Sequence, residues 1–161
     1  MVHEIAGDAL DYRGGILCHQ TNFFGVMGAG IAAAIRDKLL TSAQYREYVN
    51  LCREYGSDLL GNVQYLRCED GTVVANCFSQ GDARLDYPKG RIVPLTDYNA
   101  MLSCFLKVLQ TAQNIEKDVY MPYKIGCGIA GGDWRKVRSI INEVFAGSPV
   151  NVYIVRRPGD N

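Results

Sequence analysis

Seven of the seventeen glycines fall in two short stretches: Gly25, Gly28 and Gly30 in Phe-Phe-Gly-Val-Met-Gly-Ala-Gly-Ile, and Gly126, Gly128, Gly131 and Gly132 in Ile-Gly-Cys-Gly-Ile-Ala-Gly-Gly-Asp-Trp. Residues without a side chain let backbone NH groups come close to a ligand, and the unpaired NH groups at a helix start carry partial positive charge. Two such loops therefore suit anionic oxygens: two phosphates, or one diphosphate gripped from both sides. Neither stretch contains Lys or Arg, so neutral backbone dipoles would supply the binding, with Lys124 nearby as the exception.

Other residue types offer proton chemistry. His19 stands at a predicted strand end beside the first loop, where an imidazole could serve as general acid or base near neutral pH, or could be a structural histidine bonded within the fold. Cys18 is a poor nucleophilic partner for it, because neighbours on a strand point to opposite faces. Cys127 lies at a helix entrance, where a thiol pKa can fall, but it reads first as a small residue chosen for packing. Asp133 fits an N-cap, and Asp82 and Asp86 fit a loop within reach of the site.

Several motif readings are weak or absent. Gly126 to Gly131 spells G-x-G-x-x-G, but only thirty residues follow, and the last strand leads to Arg156 and Arg157 rather than to an acid for ribose hydroxyls. The chain has no G-x-x-x-x-G-K-[ST], G-x-S-x-G or H-E-x-x-H, which removes the main support for P-loop, α/β-hydrolase and zincin chemistry.

The elements that must hold these loops are legible from periodicity. Residues 2–5, 16–19, 63–67, 72–78, 119–122 and 150–155 read as short strands, mainly apolar and several rich in β-branched residues, with a hairpin over 62–78. Tyr98, Met101, Leu102, Phe105, Leu106 and Leu109 follow a helical stripe behind Thr96 and Asp97. Tyr45, Tyr48, Val49, Cys52 and Tyr55 do so behind Thr41 and Gln44, which form a capping box. Trp134, Val137, Ile140, Ile141 and Phe145 follow Asp133, and an Ala-rich helix is expected from about Gly28 to Lys38. Alternating strands and helices predict a three-layer α/β/α sandwich around a mixed, mostly parallel sheet of about six strands, with ligands at the carboxyl ends of the strands.

The whole-chain figures agree with that reading. A length of 161 residues suits one domain, expected over 1–157, with a loose tail from about residue 156 and no packed role for 158–161. With 48% hydrophobic and 21% charged residues the chain is neither disordered nor fibrous. Seventeen basic residues balance seventeen acidic ones, so charge alone gives no expectation of affinity for nucleic acid or an anionic membrane. The lack of an apolar run of about 20 residues and of a leader pattern points to a cytoplasmic protein, expected to be a monomer. The six cysteines lack a C-x-x-C pair and the histidines number two, so the thiols read as reduced and buried, and neither metal nor cofactor is called for.

Three separated motifs then carry a resemblance. Gly7-Asp8-Ala9-Leu10, His19-Gln20-Thr21-Asn22 with the Gly-Val-Met-Gly-Ala-Gly-Ile-Ala that follows, and Pro122 through Trp134 occur in order over residues 3–156 and resemble the macrodomains. These are the ADP-ribose-binding proteins that include the ADP-ribose-1''-phosphate-processing family. The Met-Gly-x-Gly-Ile-Ala loop is most similar to the subclass of the terminal ADP-ribose protein glycohydrolase and of the antitoxin that removes ADP-ribose from DNA.

The resemblance implies that Asp8, with Ala9 beside it, accepts from the adenine amine, and that Asn22 orients the distal ribose. Met27, Gly28, Ala29, Gly30 and Ile31 would line one side of the diphosphate, and Gly126, Cys127, Gly128, Ile129, Ala130 and Gly131 the other, with Gln80 also contacting the ligand. Arg156 or Arg157 would pack on adenine or be a solvated charge. The partner would be ADP-ribose or an ADP-ribosylated macromolecule. The implied activity is hydrolysis of an ADP-ribosyl adduct or of ADP-ribose-1''-phosphate, with a non-catalytic binding module as the alternative. The chain departs from its glycohydrolase-like relatives at two catalytic places: their lysine falls on Ser79 or Gln80, and their aspartate on Ala130. What is left is a water oriented by His19, Asn22 or Asp133.

Overall fold

The computed structural model describes residues 1–86 and 91–160, with only the backbone described for 82–86 and 91–93. The elements in chain order are β1 (Val2–Ala6), β2 (Ile16–Thr21), α1 (Gly30–Lys38), α2 (Ser42–Tyr55), β3 (Val63–Arg67), β4 (Val73–Phe78), β5 (Gln80–Asp86), β6 (Arg91–Thr96), α3 (Tyr98–Ile115), β7 (Val119–Pro122), α4 (Trp134–Phe145) and β8 (Val152–Arg156).

Six strands form one sheet in the order β1-β8-β7-β2-β4-β3. Five run parallel and β3 pairs antiparallel with β4, which is the expected mixed, mostly parallel sheet. The central strands are apolar throughout because both faces are covered: every residue of β4 is buried, and five of the six in β2. On one face α3 and α4 pack Met101, Phe105, Val108, Val137 and Ile141 against Cys18, Cys77, Met121 and Ile154. On the other, α1 contributes Ile35 against Leu17, Val74 and Val155, while α2 buries Tyr48 and Cys52 against Phe78 and Met27.

Each helix begins where its sequence says it should. In α2 the Thr41 hydroxyl accepts from the Gln44 NH at 3.1 Å and the Gln44 side chain accepts from the Thr41 NH at 3.0 Å, a closed capping box. Asp97 and Asp133 accept from the first turns of α3 and α4. All six cysteines are free thiols, five of them buried and Cys127 half-buried. Among the described residues no helix is long and apolar enough to cross a membrane.

Two expectations are corrected. The segment after β4 was expected as a loop carrying Asp82 and Asp86; its backbone forms a second hairpin, β5 with β6, in a separate two-stranded sheet. The Asp82 and Asp86 side chains lie outside the described residues. The tail expected to be loose from residue 156 folds back instead. Arg156 is the last residue of β8, its guanidinium donates twice to the Asp160 carbonyl, and the Arg157 NH donates to the Asp160 carboxylate at 3.1 Å. A β-turn closed by the Asp160 NH on the Arg157 carbonyl at 3.1 Å supplies partners that composition does not reveal. Asn161 lies outside the described residues.

Candidate functional site

A cleft of about 880 Å³ runs over the carboxyl ends of the parallel strands. One end lies by β1 and β8, where Asp8, Ala9, Leu10, Val155 and Arg157 meet the Ile31–Ala34–Lys38 face of α1. The other lies by β2 and β4, where Gln20, Asn22 and Gln80 stand. Between them the loop after β2 and the loop after β7 face each other.

The first loop is shaped by its own polar groups. The Asn22 amide donates to the Val26 carbonyl at 2.8 Å, and its oxygen accepts from the Phe24 NH at 3.0 Å and from the Tyr48 hydroxyl at 3.2 Å. Tyr48 also donates to the Asn22 carbonyl, and burial pushes its phenol well above the ordinary range, so it stays a neutral donor. Arg36 reaches back from α1 to the Met27 carbonyl at 2.7 Å. The loop then delivers the chain to α1 with Ala29 as N-cap, no side-chain cap and no acid in the first turn. In lacking a side-chain cap α1 differs from the other three helices, and its leading NH groups open on the cleft.

The second loop is braced from below. Ser79 donates to the Gln20 amide oxygen at 2.7 Å, the Gln20 amide NH donates to the Thr96 hydroxyl at 2.9 Å, and that hydroxyl donates to the Gly126 carbonyl at 2.6 Å. The Thr96 NH donates to the Ala130 carbonyl and the Gly132 NH to the Gly126 carbonyl. Carbonyls are thus drawn inward, while the NH groups of Gly128 and Ala130 have no acceptor among the described residues. The bracing role of Thr96 and Ser79 has no signal in the sequence, because they stand below the loop and not in it. Replacing Thr96 by Val takes the acceptor from the Gln20 amide NH and leaves the Gly126 carbonyl with the Gly132 NH alone. Urea unfolding is expected to show a loss of about 1–3 kcal/mol, and ligand affinity to fall about tenfold as the loop relaxes.

The expected site residues divide. Asp8, Ala9, Asn22, Gly28, Ala29, Gly30, Ile31, Gln80, Gly126, Cys127, Gly128, Ile129 and Ala130 line the cleft together, whereas Met27, Gly131, His19 and Asp133 do not. Met27 is fully buried beneath the first loop, packed with Tyr48 and Phe78. Gly131 turns the second loop at φ 72° with its NH on the Gly128 carbonyl, and Asp133 is occupied as the N-cap of α4. Asp8 does two things at once: its Oδ1 accepts from the Leu10 NH at 3.0 Å, and the residue still lines the cleft. Arg156 is tied to Glu4 and lies over the Tyr123 ring, 4.5 Å from its centroid, so of the two arginines only Arg157 lines the cleft.

His19 is a correction of substance. Its ring is fully buried on the α1 side of β2, with Nε2 donating to Asn76 Oδ1 at 2.6 Å, across from it in the parallel register. Asn76 in turn donates to Gln64, which fixes the direction of the bond. Burial outweighs that hydrogen bond and lowers the pKa from 6.5 to about 4. A neutral imidazole sealed in the core has no route for proton exchange with a cleft ligand. Its titration is instead a stability effect. Because the folded pKa is depressed, the unfolded chain binds the extra proton between pH 6.5 and 4, and stability is lost as pH falls through that window by up to about 1.4 kcal/mol per unit. Urea unfolding at pH 7 and pH 5 is expected to show a smaller difference for His19→Gln than for the native chain. Burial likewise pushes the Cys127 thiol up to about 11, the opposite of the lowered pKa expected at a helix entrance.

No family model matches the sequence, and no curated protein matches it either. Solved structures do. A Bacteroides thetaiotaomicron protein of unknown function is 28% identical with a TM-score of 0.82, covering 97% of this chain and 98% of its own. A macrodomain protein from Streptomyces coelicolor is 26% identical with a TM-score of 0.71, covering 95% of this chain and 98% of its own. Thermosipho africanus DarTG, solved in complex with ADP-ribose, is 15% identical with a TM-score of 0.75; it covers 99% of this chain, which spans 43% of that longer protein. With the strand order and the paired loops above, these likenesses establish that the chain has the macrodomain fold.

Proposed function

We propose that the cleft binds ADP-ribose. The observation that carries this reading is the pairing of two neutral NH-rich turns across one cleft: the uncapped first turn of α1 and the Gly126–Ala130 loop, with its carbonyls drawn inward by the Thr96 brace. Two such turns suit the two phosphates of one diphosphate. Asp8, acceptor-only when ionised, suits the adenine amine at one end, and the amides of Gln20 and Gln80 suit ribose hydroxyls at the other. The Thermosipho neighbour, 43% of which this chain matches in fold, was solved in complex with ADP-ribose, which supports the same assignment.

Binding without turnover is the reading the side chains favour. Hydrolysis of an ADP-ribosyl adduct, as in the glycohydrolase-like subclass, or of ADP-ribose-1''-phosphate needs a water activated at the ribose end. Among the described residues that end offers Gln20, Asn22 and Gln80, whose amides do not take up a proton near neutral pH. Calorimetry with ADP-ribose, beside assays for ADP-ribose released from an adduct and for phosphate released from the 1''-phosphate, tests both halves. Heat of binding with no product is expected; product formation would restore the hydrolase, and absent binding would remove the assignment altogether. Asp8→Ala is expected to weaken ADP-ribose about tenfold or more, the scale of a hydrogen bond to a charged group. It should leave ribose-5-phosphate, which has no base, unaffected.

A further inference from the structure

Tyr48 of α2 reaches both ends of the first loop. Its side chain is fully buried in one cluster with Met27, and its hydroxyl stands 2.8 Å from the Asn22 carbonyl and 3.2 Å from Asn22 Oδ1. A phenol has one proton to donate, and here two acceptors of the same residue share it. The Asn22 side chain passes the constraint on, because its amide donates to the Val26 carbonyl at 2.8 Å and its oxygen accepts from the Phe24 NH at 3.0 Å. At the far end Arg36 holds the Met27 carbonyl. With the carbonyls of Asn22, Val26 and Met27 tied down, the NH groups of Gly28 and Ala29 follow them into the cleft and have no acceptor among the described residues.

The hydroxyl is hard to replace. Among the described residues the Asn22 carbonyl has one other contact, the Cys52 thiol at 4.0 Å, which is a weak donor. Asn22 Oδ1, accepting from Phe24 and Tyr48, has both lone pairs engaged, so this side chain serves its own loop and keeps only an amide hydrogen for a ligand. A loop fixed beforehand loses less freedom when a ligand arrives. We propose that Tyr48 is a positioning residue whose hydroxyl, acting through Asn22, fixes the first loop so that its NH groups face the cleft; the ligand served rests on the ADP-ribose reading above.

Backbone 15N relaxation of the full chain without ligand, together with calorimetry with ADP-ribose, tests this on the native protein, Tyr48→Phe and Val108→Ala. Phenylalanine keeps the ring, stacked on Phe78 with centroids 6.2 Å apart, and removes only the oxygen. Val108→Ala opens a cavity under α3 on the opposite face of the sheet, lowering stability without touching either loop. In Tyr48→Phe the order parameters of the amides from Phe24 to Ala29 are expected to fall from about 0.85 to below about 0.6, and ADP-ribose affinity to fall about tenfold. Val108→Ala should lower the urea midpoint and leave both readings native. A rigid loop or native affinity in Tyr48→Phe overturns the proposal, as does an equal loss in Val108→Ala, which would assign the effect to stability alone. Asn22→Ala cuts the same chain of bonds one residue later and is expected to loosen the same amides; it decides the matter if Tyr48→Phe does not fold, and a rigid loop there overturns the proposal. A native protein that binds no ADP-ribose fails the ADP-ribose reading, while the relaxation data, taken without ligand, still uphold or overturn the setting of the loop by Tyr48.

Discussion

Gly128→Leu is expected to lower ADP-ribose affinity at least a hundredfold while leaving the midpoint of urea unfolding within the range of a surface substitution. A Cβ built at Gly128 meets no atom within 4 Å, and its backbone is outside the left-handed region, so neither space nor strain opposes the side chain in the empty protein. The open space is the cleft itself, where the proposed diphosphate oxygen would sit. A leucine there removes NH contacts and cannot be accommodated by a neighbour, and two decades in affinity correspond to about 2.8 kcal/mol. Gly128→Ala should fall between. Calorimetry and urea unfolding on the same samples check the pair of effects; native affinity in Gly128→Leu would refute the loop assignment. Gly30 is a poorer probe, because its φ of 58° strains any side chain before a ligand arrives.

Gly132→Ala is expected to do the opposite: to destabilise the fold by about 1–3 kcal/mol and to lose binding as a consequence. The Cβ would stand 2.5 Å from the Gly126 carbonyl oxygen, which is backbone and held in place by the Thr96 hydroxyl and the Gly132 NH. Neither atom can swing away as a flexible side-chain end would. The loop must open, and the NH groups of Gly128 and Ala130 lose their aim. A lowered unfolding midpoint for Gly132→Ala, set beside an unchanged one for Gly128→Leu, would show that glycines four residues apart serve different ends. Equal stability for both variants would show the brace to be weaker than its geometry implies.

The sequence pattern alone placed all six strands of the main sheet and the four helices, because each carries its own local signal: apolar runs buried on both faces, a 3.6-residue stripe, a capping side chain. The β5–β6 hairpin was missed. It forms a two-stranded sheet apart from the main one, and its charge-rich first strand offers only a short alternation over 82–86, which reads as a polar loop. Asn22 and His19 show why site residues are harder to read than elements. Their spacing beside a glycine loop suits catalysis, but whether a side chain faces a cleft, its own loop or the core depends on strands distant in sequence. Asn76 lies 57 residues from His19, and only the parallel register of β2 and β4 brings them within 2.6 Å.

What the residues settled by themselves was the class of ligand contact: two glycine stretches without a cation, each between a strand and a helix, can offer little except backbone NH groups. What folding decided was which of those groups are presented. The sheet order sets β7 beside β2, so the loops leaving these strands confront each other, and the hydrogen bonds through Ser79, Gln20 and Thr96 turn the second loop's carbonyls away from the cleft. Such an arrangement joins residues up to 76 positions apart through single bonds. A local pattern has no means of recording them, because each is set by the packing of whole elements.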